Sequence, residues 1–398
     1  SESYGDDESM KTGVISEADK AKVVLMHTPS VEVFYGSLFP SGALYEQQMN
    51  LSKAVEEHKT YISELENAGV KVVNLRDVLE YSKKESLIGC ASKSLKYDLD
   101  AIEDADKSAL LQEKSRVIES MCKKSLVDTI MLKPTIQVVY SKEQNVRFDC
   151  RYQVNPVMNQ LFLRDQQIVT ERGVIMGKMN SSQRALETEI TKLAFSGLGI
   201  TPKGEVEGEG RLEGGDYIPL NGSALLGIGL RTNMDAAAQL LRKDLFGKKE
   251  IALVLDPYKS QDEMHLDTYM NLPSYHKAVI LEDRLDSSKK PEKIPTVMVF
   301  KKEKGFYTKD LVNTGATLEC YLKKKGFDII PMTKQEQLNY GVNFLTVEDN
   351  KVIGVKQSGD EYISRIEGKG ISFKALDFTN LTSAYGGPHC LTQILCRE

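Results

Sequence analysis

Four short stretches of the chain hold residue types whose spacing suits covalent or acid–base chemistry. In YGGPHCLTQIL, Gly386, Gly387 and Pro388 predict a turn that delivers His389 and Cys390 to the start of an apolar strand. A thiol on a glycine-rich loop suits nucleophilic catalysis, because such a loop approaches a substrate closely and offers backbone N–H groups. The plain alternative is a small buried hydrophobe. That role falls to Cys90, Cys122, Cys150, Cys320 and Cys396, which lack such surroundings. In EMHLDTYM, His265 and Asp267 stand two apart, so on a strand they share a face while Met264 and Leu266 point away. A histidine and a carboxylate aimed into one cavity can move a proton and hold a cation; the competing reading is one solvated face of an edge strand. LEGGDYIPL sets Gly214 and Gly215 between Glu213 and Asp216. Two glycines let the backbone turn sharply and aim a carboxylate into a cleft, although Gly-Gly-Asp is also an ordinary turn. In QLFLRDQQ, Arg164 and Asp165 end an apolar run, a place where surface ion pairs are common.

These residues need a scaffold, and the composition is that of a folded one. Of 398 residues, 41% are hydrophobic and 27% charged, enough apolar material for a buried core. Lys and Arg number 52 against 57 Asp and Glu, so the net charge is −5 and no basic field is present to hold nucleic acid or an anionic membrane. No apolar run approaches the roughly 18–20 residues of a membrane span, and no signal-like apolar segment opens the sequence. A soluble, cytoplasmic protein is expected. The six cysteines form no C-x-x-C and the five histidines no cluster with them. Neither a disulfide framework nor a structural zinc site is expected.

Residues 1–17 are polar and acidic and predict a disordered tail, with the folded domain over 18–398. KVVLMHTP predicts the first strand. Leu51, Val55, His58, Ile62 and Leu65 recur at steps of four and three, one face of a helix that Gly69 stops before VKVVNL resumes as a strand. Residues 83–132 are rich in Lys, Glu, Asp, Ser and Leu and predict an inserted all-α region of two or three short helices. Beyond Pro134, short β-rich runs from IQVVY and QLFLRD to LTQILC alternate with helical stretches over 181–195 and 234–245, the latter capped by Asn233. Such frequent alternation predicts a repeated β/α module, although no clean sequence period accompanies it. SSKKPEK and KKEKG predict solvated loops or hairpin tips.

In chain order, Asp165, Glu213, His265 with Asp267, and Cys390 resemble the centre of the guanidino-group modifying enzymes, specifically the arginine deiminase family. The resemblance spans most of the chain. KVVLMHTPSVEV, AVEEH and NAGVKVVNL are similar to the family's opening, and QLFLRDQQ to its F-x-R-D segment. LEGGD is similar to its E-G-G-D, GIGLRTN to its G-x-x-x-R-T, MHLDT to its H-L-D-T, and GGPHC to its nucleophile loop. The resemblance implies an α/β fold of the pentein type: a propeller of five ββαβ modules about a pseudo-fivefold axis, with the site in the central channel. It implies that Cys390 attacks the guanidinium carbon of L-arginine, that ammonia leaves, and that water then releases citrulline, with no metal or organic cofactor. Asp165 and Asp267 are implied to grip the guanidinium, a planar cation with five donors whose plane and charge paired carboxylates can fix. His265 is implied as the acid/base, and Glu213 as the carboxylate that orients it and contacts substrate. Arg184 and Arg231 are implied to bind the substrate's α-carboxylate, with Asn159 and Phe162 as further contacts. Family members commonly self-associate, so a homo-oligomer is expected by analogy.

Three departures stand out. Tyr385 replaces the family's arginine five residues before the nucleophile. GALYEQQ replaces an L-F-D-D-like segment, and an R-x-R-E pattern is reduced to Arg184-Ala-Leu-Glu187. They touch loop gating and substrate selectivity and leave the reacting groups intact. An arginine dihydrolase (two ammonia released, ornithine formed), a dimethylarginine hydrolase or an amidinotransferase would keep the same Cys/His/acid centre. Agmatine deiminase would give Arg184 and Arg231 nothing to bind. A non-catalytic propeller acting as a binding module would have no use for a nucleophile, a base and three carboxylates in family order.

Overall fold

Runs of β-branched and aliphatic residues such as KVVLM, SALLGI and EIALVL pair into sheets in the computed structural model, which describes residues 10–398. The fold is mixed α/β. Among the described residues six sets of three strands follow one rule, an antiparallel pair with a third strand added in parallel, and one of the six lies beside the inserted helices. A parallel partner requires a long crossover, and each crossover here carries a helix.

Ala21–Met26 pairs antiparallel with Thr392–Arg397 and parallel with Lys71–Asn74, across the helix Leu51–Asn67. Gly173–Met176 pairs with Gln167–Thr170 and then with Gly204–Glu205, across Glu187–Gly197. Ser223–Ile228 pairs with Tyr217–Pro219 and Glu250–Leu255, across Met234–Arg242. Lys277–Leu281 pairs with Met270–Ser274 and Asp328–Met332, across Leu318–Lys324. Lys351–Val355 pairs with Leu345–Glu348 and Ser372–Leu376, across Asp360–Glu367. The third set is widened by Thr296–Glu303 and Phe306–Lys309, a hairpin that turns at Lys304–Gly305, within KKEKG. Asn233 caps its helix as expected, its side chain accepting from Ala236 N.

The structure departs from the sequence reading in five places. The inserted region holds the helices Lys84–Ser94, Asp104–Ser120 and Lys123–Leu132 but is not all-α. Lys96–Asp98 joins a sheet with Thr135–Tyr140 and Phe148–Gln153, which lets Tyr97, Ile136, Val138 and Phe148 pack with Leu99 and Ile102. QLFLRD is not a strand. Gln166 and Gln167 return their side-chain amides to the carbonyls of Phe162 and Leu163, at 3.0 and 2.5 Å, and hold turns until the strand begins at Gln167. His265 and Asp267 do not share a strand face, because Leu266–Thr268 is a 3-10 turn. SSKKPEK is not wholly solvated, since Lys293 is buried 2.6 Å from Glu263 Oε2.

The expected tail is corrected over residues 10–17, residues 1–9 lying outside the described residues. Gly13 bridges Cys396, and Val14 and Glu17 are buried. This polar stretch orders because its backbone extends a sheet and its glutamate meets a buried histidine. Among the described residues no helix is long and apolar enough to cross a membrane.

Candidate active site

The loop before the last strand places the thiol. Tyr385 adopts φ +72°, a left-handed conformation that turns the chain into Gly386. A side chain at Gly386 would overlap the Phe162 ring, which packs directly over it. Asn343 then grips the loop from the connection that leads into Leu345–Glu348. Its Oδ1 accepts from Gly387 N at 3.0 Å and Cys390 N at 3.1 Å, while its Nδ2 donates to Cys390 Sγ at 3.1 Å. Cys390 is 5% exposed, and its sulfur lies 3.7 Å from Asp267 Oδ2.

The Glu213–Asp216 turn assembles the opposite wall. Gly214 N donates to the Asp165 carbonyl at 2.9 Å, and Gly215 N to Asp165 Oδ1 at 3.2 Å. A methyl group at Gly215 would sit 2.7 Å from His265 Nδ1 and 2.9 Å from Asp267 Oδ1, so both side chains close over this residue. Gly215→Ala is therefore expected to push His265 and Asp267 apart. It should lower kcat at least about tenfold with a smaller change in thermal stability; unaltered kcat would show that the close approach is unimportant.

His265 Nε2 bonds Glu213 Oε1 at 2.8 Å and His265 Nδ1 faces Asp165 Oδ1 at 3.8 Å. Burial disfavours the imidazolium, but Asp165, the Glu213 hydrogen bond and Asp216 outweigh it and push His265 up to about 10. Glu213 responds in the opposite sense. Burial raises it, while His265, Arg184 and Arg231 bring it down to about 2. The pair is an ion pair at neutral pH. Burial also lifts Asp216 to about 7, although Thr232 Oγ1 and Leu266 N both donate to it. Burial, then the charges of Asp267 and Asp165, push the Cys390 thiol well above its ordinary range, with the Asn343 hydrogen bond only partly opposing them. These surroundings favour the neutral thiol form of Cys390.

Asp267 is wholly buried with Oδ2 bonded to His389 Nδ1 at 2.7 Å, and the other nitrogen of that ring meets Glu17 Oε1 at 2.7 Å. Asp267 Oδ1 has no hydrogen-bond partner among the described residues. A buried carboxylate oxygen of this kind is ready for an N–H donor.

Arg184 already fills part of the space. Its Nη1 donates to Asp165 Oδ2 at 3.0 Å and lies 3.8 Å from Glu213, while Nε and Nη2 both donate to Glu187, at 2.9 Å at the shortest. Arg231 is looser. Nη2 donates to Gln261 at 3.0 Å, and Nε is buried without a partner among the described residues. Asn159 donates to the Ala43 carbonyl at 2.8 Å. A narrow cavity of about 30 Å³ is lined by Asn159, Phe162, Asp165, Arg184, Arg231, His265 and Cys390. A wider one of about 290 Å³, bordered by Glu46, Asp262, Tyr340, Asn343 and Tyr385, reaches the same cysteine.

The structure thus gathers all nine residues singled out in the sequence. Ligand atoms of Asp165, Glu213 and His265 lie within 4.8 Å of one another, a spacing that would suit a metal ion. Arg184 Nη1 already donates to Asp165 Oδ2 within this cluster and lies 3.8 Å from Glu213.

The family model described as arginine deiminase matches residues 42–397. The chain belongs to the arginine deiminase family. Similar curated relatives are the arginine deiminases of Halobacterium salinarum, 23% identical with 98% of each chain covered, and of Streptococcus uberis, 27% identical with 97% of this chain and 98% of that one covered. Solved structures of the same fold include a dimethylarginine dimethylaminohydrolase from Pseudomonas aeruginosa complexed with citrulline. It is 14% identical at a TM-score of 0.55, over 94% of this chain and 98% of that one. The N-terminal domain of a cyanobacterial arginine dihydrolase bound to substrate is 12% identical at a TM-score of 0.56, with the same coverage.

Beyond the motifs of the arginine deiminase family, the site contains residues that sequence reading missed. Asn343, in an unremarkable NYGVNFL stretch, left no signal. Glu17 was hidden in an acidic segment. Glu187 entered only as the end of the reduced R-x-R-E pattern, and His389 only as the neighbour that its turn delivers with Cys390. Arg164 and Asp165 were open to reading as a surface pair, yet both are buried and bond elsewhere.

Proposed function

We propose that this arginine deiminase family chain hydrolyses L-arginine to L-citrulline and ammonia through a covalent intermediate on Cys390. The observation that carries the reading is the Asp267 carboxylate, whose Oδ2 lies 3.7 Å from Cys390 Sγ and whose buried Oδ1 is unpartnered among the described residues, across Gly215 from the His265–Asp165–Glu213 cluster. A guanidinium between Asp165 and Asp267 would present its carbon to the sulfur.

In this account the substrate cation displaces Arg184 Nη1 from Asp165, which frees Arg184 to join Arg231 on the α-carboxylate. Asn159 and Phe162 flank the substrate's aliphatic part and amino end. The arriving positive charge lowers the thiol's pKa, and Asp267 Oδ2, 3.7 Å from the sulfur, takes its proton. The thiolate adds to the guanidinium carbon and forms the C–S bond. His265, held as an imidazolium by Glu213, protonates one amino group, and the C–N bond breaks with loss of ammonia. The product is a thiouronium cation. Neutral His265 then takes one proton from water, whose oxygen adds to the same carbon; the remaining O–H proton is lost to solvent as the C–S bond breaks, releasing citrulline and a thiolate that recovers the proton held by Asp267. No step requires a metal or an organic cofactor.

Five of the six antiparallel–parallel strand sets, all but the Lys96–Asp98 sheet beside the inserted helices, support a five-module propeller, since each contributes the same unit and the site residues lie where their connecting turns converge. A cytoplasmic location and self-association are further parts of the reading, the latter checked by light scattering on the purified chain.

Two measurements separate this function from its neighbours. Mass spectrometry of all products should find one ammonia per citrulline; ornithine with two ammonia would indicate a dihydrolase instead. Arg231→Ala should weaken kcat/KM for arginine tenfold or more and leave agmatine use nearly unchanged, because a lost charged hydrogen bond is worth roughly 1.5–3 kcal/mol. Equal damage to both substrates would make Arg231 structural.

A further inference from the structure

A small cavity with about 10 Å³ of free volume shares no lining residue with the two clefts at Cys390. Its walls include Glu17, Arg164, Gly214, Tyr217, Gln393 and Arg397. That volume suits one occupant about the size of a water molecule. Arg164 and Arg397 are 5% and 4% exposed, so both guanidinium groups are withdrawn from solvent. Arg164 directs Nε to the His389 carbonyl at 3.2 Å, and Arg397 directs Nη1 to the carbonyls of Asp19 and Thr346 at 2.8 and 2.7 Å. Arg164 Nη2 and both Nε and Nη2 of Arg397 are buried with no hydrogen-bond partner among the described residues.

Charge around the cavity is unbalanced. Among the described residues Glu17 is the one acidic residue in its wall. Its Oε1 lies 3.9 Å from Arg397 Nη2 and is already bonded to His389 Nε2 at 2.7 Å. The Asp19 carboxylate, also close to Arg397, accepts from Ser16 N at 3.1 Å and from the Tyr275 hydroxyl. Two permanent cations sharing one engaged carboxylate away from water are costly unless another negative charge joins them.

We propose that this cavity binds a small monovalent anion of the halide class, held between Arg164 and Arg397 by their unpartnered N–H groups. A halide is near water in size and accepts from several donors at once, which matches the donor-rich wall. The site is coupled to the nucleophile loop through Arg164, whose backbone N donates to the Cys390 carbonyl at 3.3 Å. An occupant there braces the loop from behind. Unlike the proposed reaction, this site can be read without any turnover.

The test follows thermal unfolding of the full chain while sodium gluconate is exchanged for sodium chloride or bromide at constant ionic strength. Tm should rise saturably by roughly 2–4 °C in either halide, and Arg397→Gln should flatten that rise. Anomalous diffraction from crystals of the unmodified chain in bromide should place one peak within hydrogen-bonding reach of Arg164 and Arg397, whether or not the variant folds. Identical melting in gluconate and halide overturns the proposal. So does a cavity without anomalous signal, or a bromide peak with no effect in solution, which would be binding at crystal concentration only.

Discussion

Cys390→Ala is expected to reduce citrulline formation on the order of 10⁴-fold or more while leaving arginine binding largely in place. The substitution deletes the sulfur and nothing else. Asp165, Asp267, Arg184 and Arg231 remain to hold the substrate, and Asn343 still accepts from the backbone N–H groups of residues 387 and 390. Its amide Nδ2 keeps a second acceptor, the Asp267 carbonyl at 3.3 Å, so the loop does not lose its anchor. Stability should fall by at most the few kcal/mol of a small core truncation. Equilibrium dialysis with arginine, alongside a citrulline assay, checks both halves. Cys90, Cys122, Cys150, Cys320 and Cys396 replaced singly should leave turnover intact.

Asp165→Asn and Asp267→Asn should each remove useful turnover from a protein that still folds. Each substitution preserves shape but discards half the countercharge for the guanidinium and turns an acceptor into a donor facing donors. At Asp267 the loss is compounded, because His389 Nδ1 is bonded to the same carboxylate. At Asp165 the variant also loses its charged bond to Arg184, so Arg184 should stay on Glu187. Steady-state kinetics with circular dichroism distinguish this from unfolding. Near-normal kcat/KM in either variant removes that residue from the site.

Strand and helix positions were legible because local pattern decides them. SALLGI, EIALVL and KAVIL are apolar runs buried within sheets, and Asn233 announces its helix by its own side chain. The candidate site residues were legible for a different reason: their motifs occur in family order along the whole chain. What stayed hidden depends on contacts between distant segments. Glu17 meets His389 across 372 positions, and no composition of residues 10–17 reveals that a histidine will bury beside it. Asn343 reaches the thiol from 47 positions away, and its role is set by where one turn lies against another. The residence of Arg184 on Asp165 could not be read either, since it concerns which of several carboxylates one guanidinium selects. The 3-10 turn at Leu266–Thr268 shows that a two-residue spacing can aim two side chains into one site without any strand.

The covalent step is the centre of the account, and acid-quenched mass spectrometry during turnover tests it most directly. Enzyme mixed with arginine and quenched within milliseconds to seconds should carry an adduct equal to arginine less ammonia, on the peptide that contains Cys390. The adduct should be absent from Cys390→Ala and should persist longer in His265→Ala, where water lacks its base. Citrulline produced at the wild-type rate by Cys390→Ala, with no adduct on any peptide of the wild type, would contradict the mechanism.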